Sequence, residues 1–270
     1  MRKVIFQHLA KTAGTSLIQS LKAAFEDFVC PARYDAELTP ELMLDSRFTF
    51  YHGHYSFDKV HEFKNLNPDA FAFVFLRHPV NRVLSQYYNW IDALRTRKEY
   101  AAIKERGALP AQQISEKLEK FENTIFQMSL EEFLASKDPD IVDVVQNHQT
   151  RYLSLRSIYQ ANALLGCANA IQNIVSFYDF VGLSEIYDDS AKSLLRALSL
   201  DESLLSSEIR ANTNDERKHD GRYREEKHAI LKLVALNGFD LAIFHHVLGK
   251  NEPNLSRQTL ADLLLLPEMA

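Results

Sequence analysis

The segment His8-Leu9-Ala10-Lys11-Thr12-Ala13-Gly14-Thr15-Ser16 sets a lysine among small residues and three hydroxyls. That is a composition for holding phosphate. Small side chains let backbone N–H groups approach anionic oxygens, a helix start adds a favourable dipole, and Lys11 brings a mobile charge. The Walker pattern, GxxxxGK followed by Ser or Thr, is absent, which disfavours an ordinary ATP or GTP hydrolase. A second segment, Leu76-Arg77-His78-Pro79-Val80-Asn81-Arg82-Val83-Leu84-Ser85, offers the planar fork of Arg77 for a phosphate and, eight residues on, the hydroxyl of Ser85. Arg82, three residues before Ser85, is expected to be structural. A third, Tyr51-His52-Gly53-His54-Tyr55, carries two imidazoles that share one face of an extended strand, with Gly53 leaving room for a ligand. An attacking hydroxyl must lose its proton, and imidazole titrates near neutrality, so His52 and His54 are candidates for a general base. Zinc is the competing use of such a pair, but a third ligand nearby is not evident.

These groups need elements to position them. Residues 3–8 form a short β-branched and aromatic run that predicts a buried strand, and Leu17, Ile18, Leu21, Phe25 and Phe28 then fall on one helical stripe. Strand, tight loop and helix open a parallel α/β sheet. Further strands are predicted at 47–54 and 70–77, where FAFVFL is apolar on both faces, and at 174–182. Pro79 suits the first turn of a helix continued by Val83, Leu84, Tyr87, Tyr88 and Ile91. Residues 95–122 are charged and poor in large apolar side chains, which predicts exposed helices outside the sheet. Ser129 and Glu132 have the spacing of a capping box, 157–171 reads as helical, 210–222 as a polar loop, and 223–236 as a helix ending at Asn237 and Gly238.

A chain of 270 residues can bury a full-sized core, and a single domain over 1–270 is expected, with a helical insertion at about 95–128 and a helical C-terminal part at about 222–270. A net charge of −5 argues against a nonspecific coat for nucleic acid. No apolar stretch approaches the roughly 20 residues of a bilayer span, so no integral membrane segment is expected. MRKVIF is too short an apolar run for a secretory signal, and Cys30 and Cys167 form neither a disulfide framework nor a metal-ligand spacing, so a reducing cytoplasm is predicted. The oligomeric state is left open, although the apolar tail 260–266 can dock on a partner or on its own core.

The first segment resembles the 5′-phosphosulfate loop, commonly HxPKTGGTS, of carbohydrate sulfotransferases that use 3′-phosphoadenosine 5′-phosphosulfate (PAPS), in the branch containing heparan sulfate 2-O-sulfotransferase. Ala10 stands where that family usually has proline, and Ala13 where glycine is frequent. The resemblance implies a P-loop-like three-layer α/β fold with a mostly parallel sheet. It places Lys11, Thr12, Ala13, Gly14, Thr15 and Ser16 at the 5′-phosphosulfate and Arg77 and Ser85 at the 3′-phosphate. By the same match His54 is the general base, His52 its assistant or an acceptor ligand, and Lys11 the stabiliser of the transferred group. PAPS would be the donor, 3′-phosphoadenosine 5′-phosphate the product and a carbohydrate or other hydroxyl the acceptor, with no metal required. NHQTRYL at 147–153 and FVGLSEI at 180–186 resemble later family blocks without assignable chemistry, and the loop with Asn212, Thr213, Asn214 and Arg217 can close over the donor or remain surface. The alternatives are a P-loop-like small-molecule or nucleotide kinase, for which Arg77 and Ser85 would be superfluous, and a noncatalytic binding module.

Overall fold

Four short strands meet in one sheet: β1 (Val4–Gln7), β2 (Phe50–Gly53), β3 (Phe71–Leu76) and β4 (Phe180–Leu183), in the order β2-β1-β3-β4. All neighbours are parallel, with Phe6 opposite both His52 and Phe73, and Phe73 opposite Phe180. The computed structural model describes residues 2–105, 107, 110–205 and 227–251. Its helices, in chain order, are α1 (Gly14–Phe25), α2 (Pro40–Leu44), α3 (Phe57–Leu66), α4 (Pro79–Ile91), α5 (Ala93–Glu105), α6 (Ala111–Asn123) and α7 (Leu130–Ala135). After these come α8 (Pro139–Val145), α9 (His148–Leu153), α10 (Arg156–Ala161), α11 (Ala163–Ser176), α12 (Tyr187–Ala197), α13 (Lys227–Leu236) and α14 (Gly238–Asn251).

Strands β1 and β3 are buried along their whole length, as central parallel strands with helices on both faces must be. On one face Phe6, Phe50, Phe73 and Phe75 pack against Leu17, Leu21 and Phe25 of α1 and Leu194 and Leu195 of α12. On the other, Ile5, Tyr51, Ala72 and Val74 pack against Phe63 of α3, Cys167, Ala170 and Ile174 of α11, and Ile243, Phe244 and Val247 of α14. The result is a three-layer α/β/α fold around a parallel sheet. A third apolar cluster lies among helices, where Val83 and Tyr87 of α4 meet Phe121, Phe133, Ile141 and Leu233.

Local chemistry explains where the elements depart from expectation. The strand predicted at 47–54 is confined to Phe50–Gly53. The strand predicted at 174–182 starts only at Phe180, because Ile174 completes an apolar helical stripe with Cys167 and Ala170, and tertiary burial overrides its β-branched propensity. The helix predicted at 157–171 is split into α10 and α11 at Asn162, whose extended backbone and side-chain oxygen, accepting from Leu164 and Leu165 N–H, restart the second helix. Ser129 and Glu132 do form a capping box at α7. The charged stretch 95–122 becomes most of α5 and α6, and it also contributes Ile114 and Phe121 to buried positions. Lys227–Leu236 is helical as predicted, whereas 210–222, with Asn212, Thr213, Asn214 and Arg217, and the tail 260–266 lie outside the described residues. Among those described, no single helix is long and apolar enough to cross a membrane; α13 and α14, apolar together, meet at a bend of 80° and bury Leu233, Ile243 and Phe244 in the two cores.

Candidate active site

The C-terminal ends of β1 and β3 are adjacent, so the loop after β1 and the turn after β3 share one edge of the sheet, where ligands of open α/β folds bind. In the first loop Lys11 and Ala13 both adopt left-handed backbone, at φ 69° and 63°. Turns of this kind gather N–H groups into an anion-binding concavity, to which the first, unpaired N–H groups of α1 add. Glycine would take the Ala13 conformation without the roughly 1–2 kcal/mol that a Cβ costs there, which gives the frequent glycine of related loops a physical reason. Thr12 is wholly buried, its hydroxyl donating to the Leu9 carbonyl at 2.9 Å, so its side chain braces the loop. A side chain at Gly14 would displace the His8 ring, since a Cβ would lie 2.1 Å from Cδ2 of His8.

That His8 ring organises the neighbourhood. It stacks on Phe6 at 5.4 Å and on His54 at 4.6 Å between ring centres. Nδ1 of His54 lies 2.7 Å from the His8 carbonyl oxygen. A carbonyl only accepts, so Nδ1 carries the proton and donates it, and in neutral His54 the lone pair sits on Nε2. This is the tautomer of an imidazole ready to receive a proton at Nε2.

Lys11 Nζ donates to Oδ1 of Asn89 on α4 at 3.0 Å, and Nη1 of Arg77 donates to the Lys11 carbonyl at 3.1 Å. The two anion segments are thus in direct contact. Ser85 is buried on α4, one turn before Asn89 and on the same helix face. Thr15 and Ser16 fall in the first turn of α1.

A model of the sulfotransferase family matches residues 2–246, from the start of β1 into α14. The chain belongs to the sulfotransferase family. Among solved structures it is similar to a sulfotransferase from Alicyclobacillus acidocaldarius, at 15% identity over 88% of this chain and 96% of that one, with a TM-score of 0.42. Curated proteins give no match.

In this sulfotransferase the position of Arg77 is fixed by residues that lie far along the chain. The Gln149 side chain brackets its backbone, accepting from the Arg77 N–H at 3.0 Å and donating to the Arg77 carbonyl at 2.8 Å. Asp240 in turn accepts from the N–H groups of Gln149 and Thr150 and from the Thr150 hydroxyl, at 2.7–3.0 Å, and Asn147 accepts from Phe239 N–H at 3.0 Å. The next residue, His78, donates its N–H to Glu185 at 2.8 Å; burial raises the pKa of that carboxyl, while Arg77 acts in the opposite sense. The two later sequence blocks, 147–153 and 180–186, therefore carry Gln149 and Glu185 as positioning residues. Asn89 and His8 had no comparable signal beyond His8's place in the loop. Gln149→Leu is expected to strand two backbone groups and lower the unfolding free energy by about 1–3 kcal/mol, measured by urea denaturation.

Gly53 corrects the sequence reading. The space beside it is filled by the Arg33 backbone, 2.4 Å from where a Cβ would stand, and by the Tyr55 ring, so its missing side chain makes room for the protein itself. His52 is buried against Phe50, and Nε2 has no hydrogen-bond partner among the described residues. Burial, followed by the charges of Arg33, Lys22 and His54, pushes its pKa down to about 2. Burial thus favours the neutral form of His52, and of the pair only His54 is partly exposed.

Burial also depresses His78 to about 4 and holds His8 and His148 well below the usual range. These groups gain protons more readily in the unfolded chain, at an ordinary pKa of about 6.5. Their contribution to stability is full above that pH and is lost as pH falls toward about 4 for His78 and about 2 for His52. The melting temperature is therefore expected to hold nearly level from pH 7.5 to about 6.5 and then to fall toward pH 5, and a flat profile over that lower range would contradict the assigned neutrality.

Proposed function

We propose that this sulfotransferase transfers the sulfuryl group of PAPS to a hydroxyl of a carbohydrate by in-line displacement, as the heparan sulfate 2-O-sulfotransferase-like sequence pattern implies. The supporting observation is the contact of Arg77 with the Lys11 carbonyl, which sets two anion-binding segments side by side while His54 is tied to the same loop. The whole chain is taken as one catalytic domain. Its two cysteines, both buried and unbridged, suit a reducing cytoplasm.

In this reading the backbone of Lys11, Thr12, Ala13 and Gly14 and the hydroxyls of Thr15 and Ser16 surround the 5′-phosphosulfate. Arg77 and Ser85 hold the 3′-phosphate. Nε2 of His54 takes the acceptor proton as the new O–S bond forms and the bond from sulfur to the bridging phosphate oxygen breaks, and Lys11 meets the charge left on that oxygen. His52, buried two residues before His54, assists it. The donor supplies an activated sulfuryl group with 3′-phosphoadenosine 5′-phosphate as leaving group, so the protein's contribution is positioning and electrostatics, in analogy with phosphoryl transfer and with no metal required.

Calorimetry with 3′-phosphoadenosine 5′-phosphate tests the donor site. Arg77→Ala is expected to weaken binding by about ten- to a hundredfold, the value of a charge-assisted hydrogen bond, while leaving the weaker binding of ADP little changed. Equal affinity for ATP and 3′-phosphoadenosine 5′-phosphate in the unaltered protein would instead identify a kinase-like site.

A further inference from the structure

Helices α4, α5, α6 and α8 surround a cleft of about 160 Å³ lined by Trp90, Tyr100, Lys117, Phe121, Asp140 and Asp143. Its wall is aromatic: Trp90 and Tyr100 both meet Phe121 edge-on, at 5.2 and 5.7 Å between ring centres. Among the described residues, the cations that border it each face a carboxylate. Lys120 lies between Asp138 and Asp140 at 2.7 and 2.8 Å, Lys117 is 3.8 Å from Asp140, and Arg151 is 3.0 Å from Asp143.

This cleft and the candidate site share helix α4. Trp90 directly follows Asn89, the partner of Lys11. On the other side the Tyr34 ring stacks near His54, 6.0 Å between ring centres, and Tyr34 is among the groups whose charge acts on Tyr100.

Aromatic walls and carboxylate acceptors suit the C–H face and the hydroxyls of an uncharged sugar ring. A sulfated or uronate-bearing polymer would bring like charge against Asp140 and Asp143. We infer that the cleft between α4, α5, α6 and α8 binds an uncharged sugar ring of the acceptor, next to the ring whose hydroxyl is sulfated. This rests on the carbohydrate reading above and narrows it, setting the acceptor apart from the polyanionic substrates that the sequence resemblance suggests.

Trp90 is the only tryptophan of the chain, so its emission reports on this cleft directly. The full chain is titrated with neutral methyl glycosides of the gluco, galacto, manno and N-acetylglucosaminyl series, with short neutral oligosaccharides, and with a heparin-derived tetrasaccharide. At least one neutral sugar is expected to shift or quench Trp90 emission saturably, with the heparin fragment inert. Tyr100→Ala should weaken that response about tenfold, and Tyr100→Leu, which keeps bulk against Phe121, should weaken it while preserving the melting temperature. Silence toward every neutral sugar, or a saturable heparin response that fades with salt, overturns the inference. Calorimetry with 3′-phosphoadenosine 5′-phosphate separates the two readings. Intact donor binding with a silent Trp90 defeats the cleft alone, and absent donor binding with a responsive Trp90 defeats PAPS-dependent transfer while leaving sugar binding in the cleft supported.

Discussion

His54→Ala is expected to lower kcat by about 10² to 10⁴ with donor and acceptor saturating, the range for loss of a positioned general base. Affinity for 3′-phosphoadenosine 5′-phosphate should change little. The reason lies in one hydrogen bond: donation from Nδ1 to the His8 carbonyl at 2.7 Å fixes both the tautomer and the tilt of the ring, leaving Nε2 as the only nitrogen able to take a proton. His52 cannot substitute, since its buried ring is held neutral with a pKa of about 2 and therefore binds a proton too weakly to act as a base near neutrality. Transfer of labelled sulfuryl groups by the variant at near-normal rate would place the base elsewhere.

Lys11→Ala should cost about 10² to 10³ in kcat, comparable to removing a strong stabiliser of developing charge. The contact geometry makes this substitution informative. Arg77 is held by the Lys11 backbone carbonyl, not by its side chain, so alanine removes the ammonium group while the Arg77 anchor survives. The expected signature is thus a large fall in kcat with a small change in affinity for 3′-phosphoadenosine 5′-phosphate. A loss seen wholly in donor affinity would mean that Lys11 serves binding and not the transition state. Asn89→Ala, which frees the Lys11 side chain from its 3.0 Å partner, should reproduce part of the kcat loss.

Much of the scaffold could be read from local pattern. The β1-loop-α1 unit and the entry of Arg77 and Pro79 into α4 are each encoded within a dozen residues, where apolar periodicity and small-residue loops are strong signals. The left-handed turn at Ala13 sits where the sequence pattern asks for glycine, so even a departure from the motif marked a real conformational demand. What escaped depends on partners far along the chain. Nothing near Gly53 reveals that the Arg33 backbone will fill its side-chain space. Gln149 meets Arg77 across 72 positions, and Asp240 meets Thr150 across 90, so neither bracket could be inferred from spacing. The late start of β4 has the same origin, because burial of Ile174 against the sheet outweighs the local preference of its neighbours.

The Asp240 bracket bears on how the protein is born. Ribosomal synthesis delivers Lys11, His54 and Arg77 early, yet the carboxylate that seats α9, and through Gln149 the turn at Arg77, emerges only with α14. A nascent chain halted before α14 would display its lysine, histidine and arginine without the buckle that sets their spacing, so the proposed donor pocket waits for α14.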